Sequence, residues 1–198
     1  MTTKNFINLL PCDGTVNYFG PVIETAAANI YMDVLLNTIQ WEHDEVMMFG
    51  KRIVTKRKVA WYGDRPFSYS YSNTRKLALP WTEELRTLKS LAEFHCGESF
   101  NSCLMNLYHT GAEGVGWHSD GEKELKKNGA IGSFSFGAER RFIFRHKESK
   151  RNVELILEHG SLLVMKDSTQ LHWLHRLPPA AGISTIRVNL TFRTIVDS

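Results

Sequence analysis

Residues 131–165, IGSFSFGAERRFIFRHKESKRNVELILEHGSLLVM, contain four short apolar segments that are separated by turn residues. The turns are Gly-Ala-Glu, Lys-Glu-Ser-Lys and His-Gly, and the segments between them have the length and composition of β-strands. The predicted strands are Ile131 to Phe136, Arg141 to Arg145, Val153 to Leu157 and Ser161 to Met165. Because no helical pattern interrupts them, this stretch predicts an antiparallel β-sandwich or barrel.

The β pattern continues on both sides of this stretch. Further strands are predicted at Cys103 to Tyr108 and at Ile183 to Ile195. Apolar residues at helical spacing predict two helices, one from Pro21 to about Ile39 and one from Pro80 to Gly97. Turn residues in the first 20 positions predict an irregular arm. We therefore expect a mainly β protein with flanking helices, an α+β fold.

The composition is that of a globular protein. The chain has 198 residues, the length of one domain, with 42% hydrophobic and 23% charged residues. It contains no apolar run of about 18 residues and no secretory signal, so we expect an intracellular protein without membrane association. Cys12, Cys96 and Cys103 have neither CxxC spacing nor an even count, which predicts reduced thiols.

The sequence Trp117-His118-Ser119-Asp120 places two candidate metal ligands two residues apart. In an extended segment such residues project from the same face, so His118 and Asp120 would converge. A third ligand is available at His172 or His175, and two histidines with one carboxylate suit a non-haem Fe(II) centre. An isolated His-x-Asp pair also occurs in capped turns and in ordinary polar pairs, so the pair alone is compatible with both interpretations.

The last predicted strand, Ile186-Arg187-Val188-Asn189-Leu190-Thr191-Phe192-Arg193, has one polar and one apolar face. Arg187 and Arg193 on the polar face would require anions if that face lay inside a barrel. A dicarboxylate meets this requirement, since guanidinium groups bind carboxylates in a bidentate fork. The alternative is the exposed face of an edge strand.

The segment from Trp41 to Asn73 combines basic residues, among them Lys51-Arg52 and Lys56-Arg57-Lys58, with interleaved aromatic residues. This mixture suits a surface that binds phosphates and stacks on bases. A β-hairpin with half-buried aromatic residues explains the same composition, because aromatic residues are common in strands.

These residues taken together resemble the AlkB family of Fe(II)- and 2-oxoglutarate-dependent dioxygenases. The resemblance rests on His118-x-Asp120, His175 and the Arg-Val-Asn-Leu-Thr-Phe-Arg run at 187–193, and it extends over most of the chain from about residue 45. It implies a double-stranded β-helix (jelly-roll) core at about 101–195 and a nucleotide-recognition lid at about 41–75.

The resemblance also implies the cofactor site. His118, Asp120 and His175 would be the Fe(II) ligands, with His172 as the competing histidine. Arg187 would bind the far carboxylate of 2-oxoglutarate, while Arg193 would lie nearer the metal and hold Asp120. The rest of the co-substrate pocket would be formed by Asn106, Tyr108 and Asn189. Dioxygen would be the second co-substrate.

The implied reaction is oxidative demethylation of alkylated bases of the 1-methyladenine and 3-methylcytosine type, with release of formaldehyde and succinate. The substrate would be DNA in single- or double-stranded form, with RNA as a second candidate, and we expect a monomer. The residues predicted to contact nucleic acid are Phe49 as a wedge in the base stack, Arg57 on phosphates, Tyr69 and Tyr71 at the base pocket, and Glu122 on the base.

Three alternatives remain open from the sequence. The oxygenase could act on a protein or a small molecule, since one fold hosts many functions. A nucleic-acid-binding protein with a structural metal is another class. The basic residues Arg145, Lys147, Lys150 and Arg151 could extend a phosphate track, and they fit a solvated hairpin tip equally well.

Overall fold

A computed structural model of the chain describes residues 7–48, 51–71 and 74–196. Within these residues, the largest element is an eight-stranded sheet. Its strands, in spatial order, are β1 (Thr15–Pro21), β12 (Ser161–Lys166), β9 (Ile131–Gly137), β14 (Arg187–Arg193), β7 (Ser102–Tyr108), β3 (Lys51–Gly63) and β2 (Glu42–Met48), and β6 (Leu79–Pro80) pairs with β3. All these pairings are antiparallel except that of β3 with β6.

A second sheet of four strands is also found in the described residues. Its spatial order is β11 (Asn152–Leu157), β10 (Arg140–His146), β13 (Trp173–Leu177) and β8 (Val115–His118). A short hairpin is formed by β4 (Ser68–Tyr71) and β5 (Thr74–Leu77). The second sheet packs on the large one through a cluster of buried apolar side chains, which includes Phe144, Leu163, Met165 and Trp173.

Two helices, α1 (Thr25–Thr38) and α2 (Glu83–Cys96), cover the other face of the large sheet. Helix α2 begins after Thr82, whose hydroxyl accepts a hydrogen bond from the backbone N–H of Leu85. It ends at Gly97, which adopts a left-handed conformation with φ of 76°. The third described helix, α3 (Thr169–His172), is a single turn between β12 and β13. No described helix is long and apolar enough to cross a membrane.

Strand β14 shows how the sequence directs this packing. Its alternate residues Val188, Leu190 and Phe192 are fully buried against the helices. The opposite side chains therefore face the second sheet, which is the interior of the sandwich. The prediction of a mainly β jelly-roll with flanking helices is confirmed, and the candidate site lies between its two sheets.

Several element boundaries differ from the prediction. The arm predicted for residues 1–20 is wrong where Thr15–Pro21 form strand β1, because this edge strand is held by backbone pairing with β12 and its sequence carries little apolar alternation. The final strand begins at Arg187, four residues after the predicted start at Ile183. Strands β2 and β3 of the predicted lid extend the large sheet, because β3 pairs with β7.

Candidate active site

His118, Asp120 and His175 lie together at the edge of the second sheet that β8 forms. His118 is the last residue of β8, and His175 is its partner across the ladder in β13, so both imidazoles project from neighbouring strands to one side. Their ring centroids are 4.3 Å apart. The Asp120 Oδ1 atom lies 3.7 Å from the Nε2 atom of each histidine. The structure thus brings together the three residues predicted to bind iron.

The electrostatic state of the triad suits a divalent cation. Burial lowers the pKa of His175 to about 4, so this imidazole is neutral at physiological pH. Burial alone would raise the pKa of Asp120, but Arg193 and the two histidines hold it below its ordinary value, and the carboxylate is ionised. Nδ1 of His118 lies 2.9 Å from the carbonyl oxygen of Gly116. Because a carbonyl only accepts, Nδ1 carries the hydrogen and Nε2 keeps a lone pair for a metal.

Cys12, Asp13 and His146 form a second group of potential ligand atoms, but its histidine does not present a free lone pair. The backbone N–H of Ser149 donates to Nδ1 of His146 over 3.1 Å. With Nδ1 accepting this hydrogen bond, only Nε2 can carry the ring hydrogen, and Nε2 lies 3.2 Å from an oxygen of the Asp13 carboxylate. This group is a polar contact that attaches the segment before β1 to the end of β10, and it does not have the lone pair that a metal needs.

Asp120 is held from two sides. Its Oδ2 atom accepts a 2.6 Å hydrogen bond from the Arg193 guanidinium. Its backbone N–H donates to the side-chain oxygen of Gln170 over 2.9 Å. Oδ1 consequently remains directed toward the two histidines. Gln170 was not identified from the sequence, because an amide side chain carries no motif that reveals which backbone group it binds.

Arg187 is a buried cation at the other end of the site. Its side chain donates to the Ser135 hydroxyl over 2.9 Å and lies 5.3 Å from the ring centre of Tyr108. Burial lowers its pKa to about 10, so it is still charged at neutral pH. Among the described residues no carboxylate pairs with it, and its Nε atom has no hydrogen-bond partner. A buried cation with an unused donor fits an anion supplied from outside the protein.

Asn106 and Asn189 are partners across the β7–β14 ladder and lie between Arg187 and Arg193 along these strands. The Asn189 amide donates to the Ser133 hydroxyl and the Phe134 carbonyl, and its oxygen accepts from Thr191. The polar groups of Asn189 are thus largely engaged within the protein. One lone pair of its oxygen is still available to a ligand.

One cavity of about 1270 Å³ joins these groups. The predicted iron and co-substrate residues that line it are His118, Asp120, His175, Asn106, Tyr108, Arg187, Asn189 and Arg193. Trp61 and Phe67, whose rings stack with centroids 6.5 Å apart, line it as well. The donor set of the triad fits Fe(II), and the unneutralised Arg187 in the same cavity fits the far carboxylate of 2-oxoglutarate.

The predicted nucleic-acid contacts are distributed differently. Arg57 and Glu122 line the cavity, but Arg57 forms an ion pair with Asp44, and Glu122 lies 3.9 Å from Arg193. The backbone of Tyr69 and Tyr71 lies in β4. The side chains of Tyr69 and Tyr71 and the whole of Phe49 are outside the part of the chain that the structure describes.

His172 and the basic residues at 145–151 make contacts within the protein. His172 stacks on His146, with centroids 6.3 Å apart, and is not a member of the triad. The Arg145 guanidinium lies 4.0 Å from the ring centre of Trp117. Lys147 donates to the carbonyl oxygen of Gln170. These contacts favour the interpretation of this hairpin as a packed structural element.

Comparison with known proteins agrees with this geometry. The sequence matches the 2OG-Fe(II) oxygenase superfamily over residues 15–193. It is 41% identical over 162 residues to mouse DNA oxidative demethylase ALKBH2, an alignment that covers 78% of this chain and 68% of the relative. It is 36% identical over 182 residues to human alpha-ketoglutarate-dependent dioxygenase alkB homolog 3, covering 87% of this chain and 63% of the relative.

The solved structure described as "The structure of OsALKBH1" has the same fold, with a TM-score of 0.60 at 16% identity over 93% of this chain and 99% of that one. The chain spans between 58% and 68% of the length of the first ALKBH2 and alkB homolog 3 relatives. From the superfamily match and these identities, the chain belongs to the AlkB family of Fe(II)- and 2-oxoglutarate-dependent dioxygenases.

Proposed function

We propose that this chain catalyses Fe(II)- and 2-oxoglutarate-dependent demethylation of N-alkylated bases in DNA, of the 1-methyladenine and 3-methylcytosine type. The observation that carries the proposal is a single cavity that joins the His-Asp-His triad, the unneutralised Arg187 and an aromatic wall. Relatives named DNA oxidative demethylase support DNA as the substrate.

The positions of the protein groups support the following roles. His118, Asp120 and His175 hold the iron, and Arg193 fixes the Asp120 carboxylate. Arg187 binds the far carboxylate of 2-oxoglutarate, while Tyr108, Asn106 and Asn189 form the walls of that pocket. When bound, ferrous iron, 2-oxoglutarate and dioxygen would supply the oxidant that hydroxylates the methyl group; 2-oxoglutarate would leave as succinate and carbon dioxide, and the hydroxymethyl group would leave the restored base as formaldehyde.

The carboxylates of the cavity support the proposed class of base. Methylation at N1 of adenine or N3 of cytosine gives a base that is cationic near neutral pH. Among the described residues, five carboxylates line the cavity, from Glu42, Asp44, Asp120, Glu122 and Glu124, together with four arginines, of which Arg57 pairs with Asp44 and Arg193 with Asp120. In a partly desolvated cavity, Glu42 and Glu124 would attract a cation more strongly than they would in water. A neutral, unmethylated base gains no such attraction.

The nucleic-acid contacts are part of the proposal. Tyr71 and His118 would stack on opposite faces of the flipped base, with Tyr69 beside it and Phe49 filling the vacated stack. Glu122 would contact the base. Arg57 would bind a phosphate by exchanging its ion pair with Asp44 for one with DNA. We further propose that the protein is an intracellular monomer and that RNA is a second substrate.

The test is incubation with Fe(II), 2-oxoglutarate and an oligonucleotide that carries 1-methyladenine, with formaldehyde and the restored adenine measured together. Equal amounts of both are expected, and His118→Ala should form neither. Succinate formation without base restoration would favour the alternative of a protein or small-molecule substrate. Absence of any 2-oxoglutarate turnover by the iron-loaded protein would contradict the enzymatic function itself.

The wedge role of Phe49 has a separate test. Phe49→Ala should reduce demethylation in a duplex more than in a single strand, because only the duplex needs a side chain to fill the gap left by the flipped base. Equal losses on the two substrates would remove this role while leaving the reaction in place.

A further inference from the structure

The backbone of Asp120 lies in a loop, and its position depends on a side chain from another element. Ser119 and Asp120 follow the last residue of β8 and belong to no strand. The Asp120 N–H donates to Gln170 Oε1, which comes from helix α3 fifty positions further along the chain. A metal ligand on a loop needs such support, because a displacement of about 1 Å takes its oxygen out of bonding range.

Gln170 is itself held in place. Its carbonyl oxygen accepts a 2.9 Å hydrogen bond from Lys147 Nζ, and its side-chain amide donates to Met165 Sδ over 3.5 Å. The preceding residue, Thr169, is 1% exposed, and its hydroxyl binds the backbone of Thr15 and Lys166. Helix α3 is therefore fixed to three other parts of the fold and can serve as a rigid support.

The two contacts of Asp120 act on different parts of the residue. Arg193 holds Oδ2 of the carboxylate, while Gln170 holds the backbone nitrogen. With both ends fixed, the carboxylate has little freedom to rotate, and Oδ1 stays 3.7 Å from each histidine nitrogen. If the Gln170 contact were lost, Arg193 could still pair with Oδ2, but it could draw the whole loop away from the histidines.

We propose that Gln170 is a positioning residue that sets the metal affinity of this site through the backbone of Asp120. This inference rests on the proposed function, since it assumes that the triad binds the metal. It attributes the effect to one atom, the side-chain oxygen of Gln170, and so distinguishes variants that keep an acceptor from variants that lose it.

The test uses the full chain, freed of metal with a chelator, and titrated with Co²⁺ while the visible d–d absorption is recorded. Gln170→Leu, which has a similar size but no acceptor, is expected to weaken Co²⁺ binding about 10- to 100-fold. It should also change the shape of the cobalt spectrum, because the carboxylate contact is altered. Gln170→Glu keeps an acceptor oxygen and should bind Co²⁺ within a few-fold of the parent chain.

Two further measurements make the result decisive. Thermal unfolding of the metal-free variants shows whether Gln170→Leu is folded, and His118→Ala measures the dependence of cobalt binding on the triad. Parent-like affinity and spectrum in a folded Gln170→Leu would overturn the inference, as would equal losses in the Leu and Glu variants. If His118→Ala bound Co²⁺ as tightly as the parent chain, the triad assignment and the proposed function would fail together with it.

Discussion

Replacing Arg187 by methionine tests whether this buried cation serves the fold or the ligand. Its pKa is lowered to about 10 by burial. A change of one in pKa corresponds to about 1.4 kcal/mol, so desolvation costs the charged group roughly 3 kcal/mol in the ligand-free protein. The side chain regains part of this through its hydrogen bond to Ser135 and its contact with the Tyr108 ring, contributions of about 1 kcal/mol each.

We expect Arg187→Met to leave the free energy of unfolding nearly unchanged and to weaken the binding of 2-oxoglutarate. Without 2-oxoglutarate, the free energy of unfolding of Arg187→Met should equal that of the parent chain or exceed it by about 1 kcal/mol, the difference between these contributions. The affinity for 2-oxoglutarate should fall at least 100-fold, because two charge-assisted hydrogen bonds contribute roughly 3 kcal/mol or more. Urea unfolding and calorimetric titration with 2-oxoglutarate in the presence of Mn²⁺ measure the two quantities.

Arg140 supplies the matched control. It is also fully buried, at 1% exposed, but its guanidinium donates to the backbone carbonyls of Gly111, Glu113 and Pro178. Arg140→Met would leave these acceptors without their donor and should lower the free energy of unfolding by about 3 kcal/mol or more. If Arg187→Met lost as much stability as Arg140→Met in the absence of 2-oxoglutarate, Arg187 would be a structural residue and the reasoning would be refuted.

Three other predictions concern single groups. Arg193→Gln leaves the buried Asp120 carboxylate without its cation and should weaken Co²⁺ binding about 10- to 100-fold in a titration of the metal-free protein; unchanged binding would remove its supporting role. The pKa of His175 in the folded protein lies below its unfolded value, so the stability that the neutral imidazole contributes is present above about pH 6.5 and is lost as the pH falls toward 4. The free energy of unfolding of the metal-free protein should fall by roughly 3 kcal/mol over this interval. A His175→Gln variant that shows the same loss would contradict the assignment. Gly97→Ala introduces a Cβ at φ of 76° in open space, so it should lower the free energy of unfolding by about 1 kcal/mol through backbone strain alone, and an unchanged melting temperature would disprove this.

The strand faces predicted from sequence depend on local alternation. The two faces of residues 187–193 follow from the period of a strand, and the structure places Arg187 and Arg193 on the inner face because Val188, Leu190 and Phe192 pack under the helices. Strand β1 was missed because it is held by backbone pairing with β12. Such pairing leaves little trace in the side chains.

Contacts between residues that are distant in the chain could not be predicted from the sequence. The spacing in the sequence left both His172 and His175 as possible ligands. The ladder between β8 and β13 decides between them, because it sets His175 opposite His118. The Arg57–Asp44 ion pair and the Gln170 contact join residues 13 and 50 positions apart in the chain. No periodicity in the sequence indicates such distant pairs, which only the folded chain brings together.

Strand β8 is four residues long and lies at the edge of the second sheet, and among the described strands it pairs only with β13, in a ladder that contains an irregularity. An edge strand with so few backbone hydrogen bonds is among the first segments to open in native-state fluctuations. An ion bound to His118 and His175 would join the two strands across this ladder. Opening of β8 and release of the ion would then be one kinetic event. The residence time of the metal would be set by the rate at which β8 separates from β13.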